Sequence, residues 1–196
     1  YQAGAMFVAG YWYTDFALLE LKEKPSPEAN VYYAGWDRSS TVLSGGVAIH
    51  HPQGDLKKMS REDEPLEEWD ITASDIEHGN CFVVEKWEPG TGMTEMGSSG
   101  CSFFALPGKR TVGQLIGSSA TCDNPGPSAF GPLYRSWSEG GNRDTRLRDW
   151  LDPGNTGVMY LNGKDPSGGA GQPSLPPDLV EISNAQYAPL GGLDRK

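Results

Sequence analysis

Along the chain, apolar and aromatic residues gather in short runs that turn residues interrupt, a rhythm that predicts β-strands. Residues 6–13 and 16–21 are two such runs. Residues 31–36 form a third and give way to the polar Asp37-Arg38-Ser39-Ser40. Residues 42–50 carry Gly45-Gly46 and stop before Pro52, a turn signal. Residues 81–87 alternate weakly and stop at Pro89-Gly90, residues 102–106 stop at Pro107-Gly108, and residues 111–116 are a clean strand pattern. Residues 130–137 read as a further strand, with Pro132 placing it at an edge or a bulge. One stretch has a helical period: within residues 142–151, Leu147, Trp150 and Leu151 are spaced i, i+3, i+4, and Pro153-Gly154 ends the pattern. Residues 165–177 are rich in Gly, Pro and Ser and read as a linker or tail without regular structure, with 179–182 able to dock as a short strand. Short strands followed by one late helix describe an all-β barrel protein with a C-terminal helix.

The length of 196 residues suits one large domain or two small barrels, and 26 glycines and 15 prolines favour many turns over long helices. A formal net charge of -10 argues against nucleic-acid binding, because nothing would neutralise phosphates. No stretch approaches the ~20 apolar residues of a membrane helix. No leader pattern occurs, so any export signal is expected upstream of Tyr1 or already removed. The cysteines, Cys81, Cys101 and Cys122, lack metal-ligand spacing. Their odd number leaves at least one either as a buried thiol or paired outside this chain.

Two segments carry candidate chemistry. In Thr94-Glu95-Met96-Gly97-Ser98-Ser99-Gly100-Cys101, glycines permit a tight turn that would expose a serine hydroxyl and aim backbone N–H groups at a developing oxyanion. Ser99 is the candidate nucleophile, with the Gly97 and Ser99 N–H groups as the donors; the segment also suits a plain Gly/Ser hairpin. In Thr14-Asp15-Phe16-Ala17-Leu18-Leu19, an acid precedes a short apolar strand. A half-buried aspartate there could orient a histidine and stabilise its imidazolium, although an ordinary turn cap has the same pattern.

Together these segments resemble the trypsin-like serine endopeptidases, and most of all the bacterial lysyl endopeptidases. Asp15-Phe16-Ala17-Leu18-Leu19 is similar to the family's Asp-x-x-Leu-Leu, and Gly97-Ser98-Ser99-Gly100 to its Gly-Ser-Ser-Gly. Ala34-Gly35-Trp36-Asp37-Arg38, the stretch from Ala48-Ile49-His50-His51-Pro52 to Lys58, and Val112-Gly113-Gln114-Leu115 also match, as does Thr145-Arg146-Leu147-Arg148-Asp149-Trp150-Leu151 with the closing helix. The resemblance implies a double six-stranded β-barrel of the trypsin-like type with a partial first barrel and a complete second one. Residues 1–25 would be the last strands of the first barrel, 26–141 the second barrel, 142–163 the C-terminal helix and end of the domain, and 164–196 a tail. It further implies a secreted or extracellular endopeptidase that needs no cofactor or metal, with Asp15, Ser99 and Gly97 in catalysis and Trp87, Met93, Ile116, Gly117 and Ser128 facing a polypeptide substrate.

The chain also departs from the family. The catalytic histidine belongs upstream of Asp15, and none precedes it. His50 and His51 match a His-His-Pro turn, and His78 sits in an acidic stretch. The expectation is an N-terminal fragment of the same precursor that completes the first barrel, brings the histidine and is disulfide-linked through Cys122; alone, the chain is expected to be inactive. Ile116 stands where the family has a histidine stacked on the tryptophan matched by Trp87, and Ser128 stands where it has the pocket acid, with Asp123 the nearby carboxylate. A substrate lysine would enter such a pocket unpaired, at a cost of several kcal/mol, so poor cleavage after lysine is expected. Cys101 replaces a family serine. The competing reading is a catalytically inactive protease-fold subunit with a structural or binding role in an extracellular assembly.

Overall fold

The computed structural model describes residues 4–41, 43–121, 123 and 126–165. It begins with an antiparallel hairpin, β1 (Ala5–Tyr11) and β2 (Phe16–Leu21). A register shift between Phe7 and Ala9 marks a bulge, which re-aims the strand. Ala9 and Phe16 turn inward, while Phe7, Leu19 and Leu21 remain exposed at 66%, 57% and 49%. The turn between the strands ends at Asp15, whose φ of 52° is in the left-handed region and whose N–H donates to the Trp12 carbonyl at 3.3 Å.

The remaining strands are β3 (Gly35–Asp37), β4 (Gly46–His50), β5 (Lys58–Glu62), β6 (Glu67–Ala73), β7 (Ile76–Val84), β8 (Ser102–Ala105), β9 (Arg110–Ser118), β10 (Ser128–Pro132) and β11 (Tyr160–Leu161). They form a nine-stranded sheet with the order β5-β4-β8-β9-β10-β7-β6, while β3 pairs with the start of β9 and with β11. Every ladder is antiparallel except β3 with β9. The ladder is not closed: β5 and β6 stand at its two ends. The chain after β7 nevertheless returns to β5, where Glu88 N–H donates to the Arg61 carbonyl at 2.8 Å and Arg61 N–H to Thr91 Oγ1 at 3.1 Å. The protein is thus mostly β-sheet with few helices, as the turn-punctuated sequence implies.

Burial follows the pleat. Ala48, Phe82, Val84, Phe103, Val112, Leu115 and Phe130 form one core cluster with Leu66 and Trp87. Cys81, Val83, Ile116 and Ala129 pack on the opposite face. The strands β7, β9 and β10 are therefore covered on both sides, which explains the near-continuous apolar runs and the weak alternation in 81–87. A third cluster joins the hairpin to the rest through Ala9, Phe16, Trp36, Leu133, Trp137 and Leu147.

Some segments differ from the sequence reading. Residues 130–137 are not one strand: β10 ends at Pro132 and α1 (Leu133–Ser138) follows. Pro132 has φ -68° and ψ 136° at the helix N-cap, and its missing N–H ends the ladder there. Leu133 and Trp137, four apart, then face the hairpin. Residues 142–151 are not one helix. They form a 3₁₀ turn, Arg143–Thr145, and a single α-turn, α2 (Arg148–Leu151), separated by Arg146 in extended conformation. Asn142 caps the first turn by accepting from Asp144 N–H at 2.9 Å. Residues 43–45 precede β4 rather than belonging to it, and β3 is shorter than 31–36 predicts. The stretches 166–177 and 179–182 lie outside the described residues; Lys164 pairs with Tyr33.

Candidate active site

The loop between β7 and β8 carries Ser99. It is held by its own turns and by two neighbours. Ser98 N–H donates to the Glu95 carbonyl at 2.9 Å and Cys101 N–H to the Ser98 carbonyl at 3.0 Å. Gly100 N–H donates to the Leu115 carbonyl at 2.9 Å, and Leu115 N–H returns a bond to Cys101 at 2.9 Å, which fastens the loop's exit to β9. Its entrance rests on the turn after β4, where Gln53 N–H donates to the Met96 carbonyl at 2.6 Å. Gly97 has φ 93°, and a Cβ there would stand 3.0 Å from Gly54 N and 3.1 Å from the His51 carbonyl oxygen. Both the left-handed backbone and the close approach require glycine.

This shape leaves Ser99 exposed. The N–H groups of Gly97 and Ser99 donate to no group among the described residues. Two backbone donors beside an exposed hydroxyl suit an oxyanion hole. Ser98, by contrast, is 1% exposed, and its Oγ lies 2.8 Å from His50 Nδ1.

Asp15 is exposed on the hairpin turn, whereas the sequence reading expects a half-buried acid. Gln114 on β9 fixes that turn: its Nε2 donates to the Thr14 carbonyl at 2.8 Å and to the Asp15 carbonyl at 3.4 Å. Gln114 directly precedes Leu115, which holds the Ser99 loop. A single strand thus ties both candidate segments. The Thr14 hydroxyl is buried with no hydrogen-bond partner among the described residues.

The candidate substrate residues are distributed differently. Trp87 is 2% exposed and packs in the core beside Phe103 and Phe130. Its Nε1–H donates to Ser128 Oγ at 3.0 Å. Ser128, fully buried, also meets Thr94 Oγ1 at 2.7 Å and Ser118 Oγ at 3.1 Å, and Ser118 Oγ–H donates to the Thr94 carbonyl at 2.9 Å. This is a network of hydroxyls with no carboxylate. Ile116 belongs to the cluster on the opposite face from Trp87. Gly117 has open space where a side chain would stand. Met93 lines a cleft of about 510 Å³ with Pro52, Gln53, Lys58 and Glu95, alongside the Ser99 loop. Asp123 is exposed.

None of the three histidines meets Asp15 or Ser99. His50 lies between Ser98 and Ser60, with Nε2 2.9 Å from Ser60 Oγ. His51 Nδ1–H donates to the Asp55 carbonyl at 3.0 Å, and His78 Nδ1–H to the Tyr13 carbonyl at 3.0 Å. Cys81 and Cys101 are free thiols, which burial pushes up to about 11 and about 12, so neither is a nucleophile at neutral pH. Cys122 lies outside the described residues. No helix is long and apolar enough to cross a membrane, among the residues described.

Sequence reading missed two residues of the site. The His-His-Pro match points to a turn, yet His50 follows Gly46 and Ala48 on the inward-facing positions of β4, and this period-2 placement is the available signal. Gln114 is the polar exception in the apolar run Val112–Ile116, a signal that marks it without saying what it binds.

The family model for the C-terminal domain of lysyl endopeptidase matches residues 1–131. The lysyl endopeptidase of Pseudomonas aeruginosa is 31% identical over 117 residues, which are 57% of this chain and 23% of that protein. The chain thus spans under a quarter of that relative's length. Among solved structures, Rv3671c from Mycobacterium tuberculosis matches in two forms at 16% identity. The inactive serine-to-alanine mutant has a TM-score of 0.42, covering 65% of this chain and 58% of that one. The active form of the protease has a TM-score of 0.43, covering 65% and 53%.

Proposed function

The chain belongs to the lysyl endopeptidase C-terminal domain family, and from that premise we propose that it is the nucleophile-bearing part of a secreted serine endopeptidase. Ser99 Oγ attacks the scissile carbonyl of a polypeptide. A histidine outside this chain takes the hydroxyl proton and gives it to the departing amine. Water then attacks the acyl-enzyme on Ser99, losing a proton to the same histidine, and the acid product leaves as the seryl hydroxyl reforms. Asp15 orients that histidine, and the N–H groups of Gly97 and Ser99 receive the oxyanion. The observation that carries this reading is the pair of N–H groups, unengaged among the described residues, beside an exposed Ser99, on a loop tied through β9 to the Asp15 turn.

In this reading β1 and β2 are the last strands of a first barrel, and the larger sheet is the second. An N-terminal segment of the same precursor supplies the other strands and the histidine, with Cys122 as its disulfide partner. The exposed apolar face of the hairpin and the Thr14 hydroxyl, which has no partner among the described residues, support such a covering segment. Ser128, enclosed by Trp87, Thr94 and Ser118, places neutral groups where a lysine side chain would need a carboxylate. Cleavage after small or apolar residues is therefore favoured over cleavage after lysine.

The test is labelling with a fluorophosphonate, which traps an activated serine. The chain assembled with its histidine-bearing segment is expected to label at Ser99, and the Ser99→Ala variant is not. Labelling that persists in Ser99→Ala, or an assembled wild-type protein that never labels, would overturn the proposal. The lack of any histidine beside Asp15 among the described residues favours the second reading, a non-catalytic subunit of an extracellular assembly, for which no labelling is expected.

A further inference from the structure

His50 is 1% exposed, and both of its ring nitrogens are engaged by hydroxyls. Ser60 belongs to β5, and Ser98 sits immediately before Ser99 in the loop. The imidazole therefore bridges the β4–β5 ladder and the nucleophile loop. Other bonds at the loop's entrance come from Gln53 N–H to the Met96 carbonyl, Ser118 Oγ–H to the Thr94 carbonyl, and the local turn from Ser98 N–H to the Glu95 carbonyl; His50 is the bond that joins Ser98 itself to the β4–β5 ladder.

We propose that His50 is a positioning residue: its neutral imidazole locks the Ser99 loop onto the β4–β5 ladder, and its protonation loosens that loop. A neutral ring has one donor nitrogen and one acceptor nitrogen. Glu95 N–H already points at Ser98 Oγ, at 3.4 Å, so the Ser98 hydroxyl proton is free to donate to Nδ1, while Nε2–H donates to Ser60. A second ring proton removes the only ring acceptor. The Nδ1–H must then donate to Ser98 Oγ, the Ser98 hydroxyl proton is left without its acceptor, and a cation is enclosed among hydroxyl groups. The charged groups facing it do not compensate. Glu95 favours the cation and His51 opposes it; Lys58, opposite His50 on β5, has its charge answered by Asp55 at 4.0 Å. Burial is the dominant influence and holds the His50 pKa below its ordinary value, with His51 adding to the effect. The loop is thus locked at neutral pH and released by acid.

The consequence for catalysis rests on the reading of Ser99 as nucleophile, but the lock itself is measurable without substrate or base. The experiment is hydrogen–deuterium exchange of the 95–100 amides in the full chain between pH 5 and 8, corrected for intrinsic rates. The His50 imidazole is titrated in parallel by NMR. Wild-type loop protection is expected to fall with the midpoint of the imidazole titration. Asparagine places an amide near the position of Nδ1 and glutamine near that of Nε2. His50→Asn should therefore keep the Ser98 bond, with protection that no longer varies with pH. His50→Gln should lose it and exchange about five-fold faster in this segment, the factor for one neutral hydrogen bond. Ser98→Ala, which removes one oxygen atom, should match His50→Gln and covers the case in which the glutamine variant does not fold. Flat wild-type exchange across the titration, or equal protection in His50→Asn and Ser98→Ala, would overturn the proposal. If Ser99 fails to label while the exchange follows this pattern, only the functional reading falls.

Discussion

Gln114→Glu separates the two loops of the candidate site with the smallest change of shape. The native Nε2 lies 2.8 Å from the Thr14 carbonyl oxygen and 3.4 Å from that of Asp15. A carboxylate of the same size has no proton to give either one. Thr14 is 2% exposed, so water does not readily replace the lost donor. A buried acceptor left unsatisfied costs about 1–3 kcal/mol, and the new negative charge faces two carbonyl oxygens and the exposed Asp15, which adds little through solvent. The expected loss is about 2 kcal/mol at pH 7, a drop in Tm of roughly 4–8 °C for a chain of this size. The sign reverses with acid. The folded state disfavours the charged carboxylate, so the pKa of Glu at this position is raised on folding. The unfolded chain releases its proton near the ordinary Glu value of about 4.3. Stability is therefore restored below that value, where a protonated carboxyl can donate, and is lost as pH rises from there through the folded pKa. Urea unfolding followed by the fluorescence of the six tryptophans, at pH 7 and pH 4, measures both limbs. A Gln114→Glu protein within about 0.5 kcal/mol of wild type at pH 7, the usual scatter of surface changes, would show that Gln114 does not hold the Asp15 turn.

Other sites carry their own expectations. Phe130 is fully buried, 5.0 Å from Phe103 and 6.2 Å from Trp87 between ring centroids; Phe130→Ala should cost about 3–5 kcal/mol in urea unfolding, and a cost under 1 kcal/mol would contradict the packing. Gly97→Ala forces a side chain into a backbone with φ 93° against Gly54 and His51; the rate of Ser99 labelling should fall by about 10²-fold or more as an oxyanion donor is misaimed, and an unchanged rate would argue against that role for Gly97. For His50, whose folded pKa is lowered from 6.5, the unfolded chain binds the proton first as pH drops. Stability should decline below about pH 6.5, and no further once the folded pKa is passed; the same decline in His50→Asn would exclude His50 as its source.

Most strands with apolar inward faces were legible in the sequence, and β5, whose inward face is polar, was not. The hairpin, β4, β7, β8 and β9 each match an apolar run. The strands β5 and β6 were missed for different reasons. On β5 the inward residues are Ser60 and Glu62, and β6 exposes Glu67, Glu68, Trp69 and Asp70. β5 lacks the apolar alternation on which strand reading depends, whereas β6 has it in Trp69, Ile71 and Ala73, a short signal preceded by the charged Glu67-Glu68; charge along an end strand such as β6 deters pairing with other chains. The helix expected across 142–151 failed for the converse reason: Leu147, Trp150 and Leu151 keep a helical period, but Asn142 and Arg146 divide the segment into two short turns. At the site, the glycine pattern of the Ser99 loop was visible because backbone conformation dictates residue type there. The partners of Gln114 and His50 were not, because the bonds to Thr14 and Ser98 join residues far apart in sequence, Ser60 lies on a strand that was itself not legible, and polar side chains alone do not name their acceptors.

The arrangement around β9 explains how exposed loops can hold a precise site. Leu115 packs into one cluster and Ile116 into the cluster on the other face, so this strand has little freedom to move. It binds the Ser99 loop through the backbone of Leu115 and the Asp15 turn through the side chain of Gln114. Both loops thus inherit their positions from a buried strand and need no core of their own. The hairpin side is less complete. Phe7 and Leu19 are 66% and 57% exposed on the strands that flank Asp15, and full burial of such side chains is worth about 1.5–3 kcal/mol each. In the proposed enzyme, the segment that covers this face would also screen Asp15 from water and strengthen its attraction for an imidazolium. Covering the apolar hairpin and arming the carboxylate would then be one event. A partner that binds the hairpin without bringing a histidine would therefore stabilise the chain while leaving Ser99 unlabelled, and this outcome separates assembly from catalysis.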